Sequence, residues 1–140
     1  MRNQTNTKTK ISTPNDTSNI AVVDVQAIVN ASAQVKALKE EQALKTKELS
    51  QWLQVAQNEV NTEQDKERQQ ALLQKYNAEF ALKRREIAIN YQEKLKVVSD
   101  NIEHTIAEEA KAKGYQLVLA KNVTIFGGTD ITENIAKIIK

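Results

Sequence analysis

SAQVKALKEEQALKTKELSQWLQVAQNEVNTEQDKERQQALLQKYNAEFALKRREIAINYQEKLKVVSDNIEHTIAEEAKAK, from Ser32 to Lys113, is a run of 82 residues with neither glycine nor proline. Those two residues interrupt regular structure, and a Lys/Glu/Gln/Ala-rich stretch without them reads as helix. One unbroken helix of that length would reach about 120 Å at 1.5 Å per residue, more than a small domain can use. The run lies between two β-like segments, Ile20–Val25 and Tyr115–Ala120. A helical excursion that leaves a small β body and returns to it satisfies both facts. The predicted class is α+β: a β body with a long antiparallel helical-hairpin arm.

The arm divides unequally. Its first helix carries apolar positions at Val35, Leu38, Leu49, Leu53, Ala56 and Val60, with Gln42 and Lys45 on the same stripe. The second is more regular: Leu73, Tyr76, Phe80, Ile87, Tyr91, Leu95, Val98, Ile102 and Thr105 follow the three/four spacing of a coiled-coil seam. The reversal is placed at Val60–Asp65, the most polar cluster, where Thr62 and Asp65 stand at capping-box spacing. Ser32 is the expected N-cap of the first helix and Gly114 the left-handed residue that ends the second. The domain boundaries follow: residues 20–31 and 114–140 form the body, and residues 32–113 form the arm with its tip near 60–65.

In the body, Ile20–Val25 suits a buried strand, and Gln26–Asn30 a single helical turn. Tyr115–Ala120 and Val123–Phe126 read as a β-hairpin turning at Lys121-Asn122. A short terminal helix, Ile131–Ile139, follows, with Asp130 and Glu133 at capping-box spacing. The apolar strand residues Val22, Val23, Val25, Leu117, Val118 and Leu119 exceed what one small body can cover, which predicts association. Residues 1–19 are polar and Thr/Asn-rich without an apolar stretch, so they read as disordered and not as a secretory signal.

Composition narrows the function classes. Of 140 residues, 27% are charged and only 4% aromatic, too apolar-poor for a thick globular core. The net charge of +2 gives no argument for a nucleic-acid partner. There is no cysteine, hence no disulfide or thiolate metal site, and no run of the roughly 18 apolar residues that a membrane helix needs. The lone His104 has no second histidine or nucleophile beside it, and no phosphate-loop, zinc-protease or nucleophile-elbow motif occurs. An enzyme, a metal or a cofactor has no residues to stand on. Lys83-Arg84-Arg85 is the densest basic patch, but Glu79, Glu86 and Glu93 nearby favour ordinary surface pairing.

A second stripe matters more. Leu82 and Ile89 project opposite to Phe80 and Ile87, with Ala78 nearer the back, and Ala37, Leu44 and Val55 turn away from the first helix's seam. A two-helix hairpin buries one stripe per helix, so these six residues are expected to face solvent or a bound partner. Trp52 is placed at the seam edge, as seam packing or as a contact for a bound chain.

The opening Ile20-Ala-Val-Val-Asp-Val25, the Glu/Lys/Gln arm, and the ending Gly114-Tyr-Gln-Leu-Val-Leu119 with Asp130-Ile-Thr132 together resemble the Skp (OmpH-like) family of periplasmic chaperones. The resemblance spans Ile20 to Lys140. It implies a body-mediated homotrimer with tentacle-like arms around a cavity. That cavity would hold unfolded outer-membrane proteins without ATP, in the periplasm, with no stable membrane insertion. By the same resemblance Ala37, Leu44, Val55, Ala78, Leu82 and Ile89 become the client-binding lining. One feature departs from the strongly basic arms of the family's best-known pattern: Ser32–Lys113 carries 14 Lys/Arg against 14 Asp/Glu. A structural coiled-coil adaptor for one folded partner is the alternative reading, and it would call for a continuous apolar back face.

Overall fold

The computed structural model describes residues 19–140, so the expectation of disorder for residues 1–18 lies outside them. In chain order the elements are β1 (Ile20–Val23), α1 (Val25–Ala31), α2 (Ala33–Thr62), α3 (Lys66–Ala112), β2 (Leu117–Ala120), a 3-10 turn at Lys121–Val123, β3 (Thr129–Asp130) and α4 (Thr132–Ile138). Two compact units emerge: a body of residues 19–35 and 98–140, and a helical unit of residues 36–97. The α+β class, with its three-stranded sheet, terminal helix and long helical hairpin, is as the sequence predicts.

The body is organised by β1, the central strand in the order β2-β1-β3. It pairs in parallel with β2 from Ile20↔Leu117 to Val23↔Ala120, and in parallel with β3 at Ala21↔Thr129 and Val22↔Asp130. A strand covered on both edges and both faces tolerates no polar residue, and Ala21, Val22 and Val23 are all buried. The strand is shorter than predicted because Asp24 ends it: its Oδ1 accepts the Ala27 N–H at 3.1 Å, capping α1. Val25 is therefore the first residue of a helix, not of the strand. The Asp24 N–H donates to Thr132 Oγ1 at 2.9 Å, which ties this turn to the start of α4. Ile28 of α1 and Ile135 of α4 are fully buried and join Ala21, Val23, Ile102 and Ile131 in one core cluster.

The third strand is a correction. No hairpin forms between Tyr115–Ala120 and Val123–Phe126. Lys121–Val123 winds into a 3-10 turn, held by Thr124 Oγ1 donating to the Ala120 carbonyl at 2.9 Å. Val123, Ile125 and Phe126 stand in solvent, the last two almost completely exposed. A two-residue hairpin turn needs positive φ, which Lys121-Asn122 does not supply here and Gly127 and Gly128 do, at 98° and 82°. The glycines thus do not end a strand; they turn the chain back so that Thr129–Asp130 reaches the other edge of β1. Gly128 is also a close approach, since a Cβ there would lie 2.5 Å from Val22 Cγ2.

The terminal helix is capped differently from expectation too. It starts at Thr132, with no side-chain cap bond and no part played by Glu133. Asp130 instead turns its Oδ1 onto the Thr132 N–H (2.9 Å) and hydroxyl, while its other oxygen meets Lys121 Nζ at 3.1 Å. The Thr132 hydroxyl bond, foremost, holds the Asp130 carboxyl below the usual aspartate range. α3 ends as a Schellman motif: Gly114 N–H donates to Lys111 O and Tyr115 N–H to Ala110 O, both at 3.0 Å. Ser32 is fully buried between α1 and α2, where its Oγ accepts the Val35 N–H at 3.3 Å and donates to the Lys140 main-chain oxygen.

In the helical unit the chain reverses at residues 63–65. Thr62 does not cap α3: it is still helical, and its hydroxyl bonds back to Asn58 O at 2.9 Å. Asp65 N–H donates to Glu63 Oε2 at 3.1 Å, and Gln69 Nε2 reaches Val60 O at 2.9 Å, closing the turn without a glycine. Leu49, Leu53, Tyr76, Phe80, Ile87 and Tyr91 are half-buried, while Leu38 and Ala56 are buried. The predicted seam residues Leu73 and Leu95 are 43% and 41% exposed. Of the remaining predicted seam residues, Val98 is half-buried and Ile102 buried in the body. The polar insertion becomes a bonded layer: Lys45 Nζ meets Asn90 Oδ1 at 3.1 Å and Glu41 at 3.3 Å, and Lys94 also binds Glu41.

Two outcomes are expected. Gly127→Ala strains only its backbone and should cost about 1 kcal/mol. Gly128→Ala adds a collision with Val22 to the same strain, so it should destabilise the body more, as read by the urea midpoint. Equal costs would show that β1 and this turn move apart freely. At the polar layer, Lys94 foremost holds the Glu41 carboxyl below its ordinary value of 4.5. A depressed folded value means the stabilisation is present above about pH 4.5 and is lost as pH falls through the lower folded value. Helicity melts of the parent and Glu41→Gln should therefore differ near neutrality and converge in acid; a gap that persists unchanged to about pH 3 would assign the effect to packing instead of charge.

Candidate interaction surface

The hairpin's seam is filled by aromatic packing at its centre. Trp52 stacks on Phe80 with centroids 6.5 Å apart and meets Tyr76 edge-on at 5.7 Å. It is a seam residue. Tyr76 donates its hydroxyl to Glu59, and that bond, foremost, raises the tyrosine above its usual range. The basic patch folds over the same rings. Lys83 Nζ lies 5.3 Å from the Trp52 ring and the Arg84 guanidinium 5.8 Å from the Phe80 ring. The expected pairing of these cations with Glu79 and Glu86 gives way to ring faces: helical spacing gives no signal for Trp52, on the other helix, whereas Phe80 stands at i−4 to Arg84 on the same one.

With the seam occupied, the back stripe stays in solvent. Leu44, Val55, Leu82 and Ile89 are 55%, 68%, 57% and 44% exposed, and Ala37 and Ala78 are exposed as well. All six belong to the helical unit, three on α2 and three on α3. Helical phase alone identifies them. Val97, 59% exposed, is a further apolar group that phase places off both stripes and that sequence reading missed. The stripes are interrupted, since Leu44 and Val55 lie about 16 Å apart along the axis and Leu82 and Ile89 about 10 Å. Between the helices an open cleft of about 350 Å³ is lined by Lys45, Glu48, Leu49, Lys83, Glu86 and Ile87. Its mixed charges and shallow walls suit weak contact with a chain more than capture of a small molecule. Among the described residues no group of three or more His, Cys, Asp or Glu side chains could hold a metal ion, and no helix is long and apolar enough to cross a membrane.

The body carries a second apolar surface. Of the strand residues expected to drive association, Val22 and Val23 are buried within one body, Val118 and Leu119 are half-buried, and Leu117 and Val25 are 50% and 43% exposed. The larger exposed apolar groups are Val123, Ile125 and Phe126, in the segment read from sequence as a strand.

Comparison with known proteins places this architecture. No curated protein matches the chain. A crystal structure of an OmpH-like protein from Caulobacter crescentus, described as a candidate outer membrane chaperone, superposes with a TM-score of 0.51. The two are 17% identical, and the match covers 86% of this chain and 82% of that one, a likeness of fold. The family model described as outer membrane protein (OmpH-like) matches residues 19–139, from the first residue of the body to its terminal helix. The chain belongs to the OmpH-like family.

Proposed function

We propose that the protein is an ATP-independent holdase that binds unfolded outer-membrane-type proteins in the periplasm and keeps them from aggregating. The observation that carries this reading is the pair of interrupted, solvent-exposed apolar stripes on a hairpin whose seam is already filled. Family membership and the candidate chaperone function of the Caulobacter crescentus neighbour agree with it. A folded partner would need a continuous face, and the gaps between Leu44 and Val55 do not provide one, so the adaptor reading is the weaker. Sparse apolar groups among charges give many weak contacts to a chain without a fixed epitope, and several hairpins in one assembly would multiply them.

On this reading three copies associate through their bodies. Leu117, Val123, Ile125 and Phe126 form the apolar surface that such contact would cover. Replacing Ile125 and Phe126 together by Asp should reduce the light-scattering mass to that of one chain while leaving helicity intact. An unchanged oligomeric mass would remove this segment from the interface, and a parent that is itself monomeric would end the trimer proposal.

The client surface is tested by Leu44→Gln, Leu82→Gln and Ile89→Gln combined. These side chains are exposed, so polar replacement costs little folding energy, but each removes apolar contact worth on the order of 1 kcal/mol if the client covers it. Suppression of aggregation of a denatured β-barrel protein should weaken at unchanged helicity and oligomeric mass. Phe80→Gln, in the aromatic seam, should lower hairpin helicity first. A triple variant that protects the client as well as the parent does would place the client surface elsewhere.

A further inference from the structure

The charges around the exposed stripes are not the average of the chain. Residues three or four positions from Leu44, Val55, Leu82 and Ile89 share their helical face. Seven of those positions are acidic and two are basic. Glu41 is held by Lys94 and Lys45, and Glu59 accepts from Tyr76. The others are less engaged. Of these five, Glu79 is half-buried, and Glu40, Glu48, Glu86 and Glu93 are exposed and make no ion pair among the described residues, against Lys47 and Arg85 as the matching cations. Three nearby cations are engaged by rings: Lys75, Lys83 and Arg84 lie over Tyr76, Trp52 and Phe80, although Lys83 also lines the cleft it shares with Glu48 and Glu86 without an ion pair to either. The residues 36–97 as a whole carry a slight positive balance, 12 Lys/Arg to 10 Asp/Glu, so the acidic bias belongs to the stripe and not to the unit.

We infer that the stripes select, within non-native chains, apolar segments flanked by lysine or arginine over the same segments flanked by aspartate or glutamate. This rests on the holdase reading and names the client chemistry for it. The apolar side chains supply the attraction, which is insensitive to salt. The unpaired carboxylates beside them reward a basic flank and repel an acidic one at separations below a Debye length, about 10 Å at 0.1 M salt.

The test uses the full chain and one permanently unfolded polypeptide made in two versions, its β-strand-like apolar segments bordered by Lys in one and by Glu in the other. At about 50 mM salt the Lys version should bind roughly three- to tenfold more tightly, as expected for a few exposed charge contacts acting together. The ratio should fall toward one at about 500 mM salt, where exposed charges are screened. It should also fall in the Glu48→Gln, Glu86→Gln, Glu93→Gln variant, whose helicity is expected to match the parent because all three side chains are exposed. Equal affinities, or tighter binding of the Glu version, would overturn the charge preference and leave the holdase reading standing. Binding of neither version would overturn both. A preference that survives in the variant would refute the assignment to these carboxylates.

Discussion

The parallel pairing of Ile20–Val23 with Leu117–Ala120 is the constraint on which the rest of the chain depends. Two parallel neighbours cannot be joined by a tight turn; the chain must travel away and re-enter at the opposite end of the sheet, beside the start of β1. Most proteins make that crossover with one helix. Here it comprises α1, α2 and α3, so the whole helical hairpin is a connection between adjacent strands. The sheet is small, but it gathers segments nearly a hundred residues apart, and its capping groups reinforce the closure. Thr132 holds Asp24, and the Lys140 main-chain oxygen holds Ser32.

The hairpin itself is stabilised by alternating kinds of contact. Near residues 41–45 and 90–94 the helices meet through a Lys/Glu/Asn layer; near residues 52, 76 and 80 they meet through three rings. Apolar layers resist separation, whereas exposed ion pairs contribute little and answer to salt. The polar layer nevertheless specifies which residues face each other, because an offset would leave its half-buried cation without an acceptor. A seam of this composition favours one alignment without making the pair rigid.

Much of this was legible in the sequence, and the reasons are physical. Helical phase separates inward from outward positions over dozens of residues, so Phe80 and Ile87 could be told from Leu82 and Ile89 without coordinates. Glycine-poor length pointed to the hairpin, and Gly114 marked its end. What failed was the short range. Val123–Phe126 has every compositional mark of a strand, β-branched and apolar, yet in this single chain it is exposed. Thr129–Asp130 has none of those marks and pairs with β1, because Gly127 and Gly128 deliver it there. Pairing to a central strand is decided by where a turn releases the chain, and composition does not encode that. The destination of Lys83 was hidden for a similar reason: an i±4 rule considers only one helix, while the Trp52 ring it covers lies on the partner helix; Arg84, by contrast, covers Phe80 four residues before it on α3.

Two distributions of apolar surface remain, and they suit different kinds of binding. Val123, Ile125 and Phe126 lie close in sequence, and large contiguous patches favour a permanent partner since they are costly to leave wet. Leu44, Val55, Leu82 and Ile89 are isolated from one another by carboxylates and amides. Isolation keeps each group's contribution near that of one side chain, too small to draw two hairpins together and large enough to count when a flexible chain meets several at once. Glutamates between them add a repulsion between identical hairpins that an apolar but uncharged stripe would lack. On the proposed reading, a surface that holds other chains must first avoid holding copies of itself, and interspersed like charge would achieve this with the same residues that would discriminate among clients.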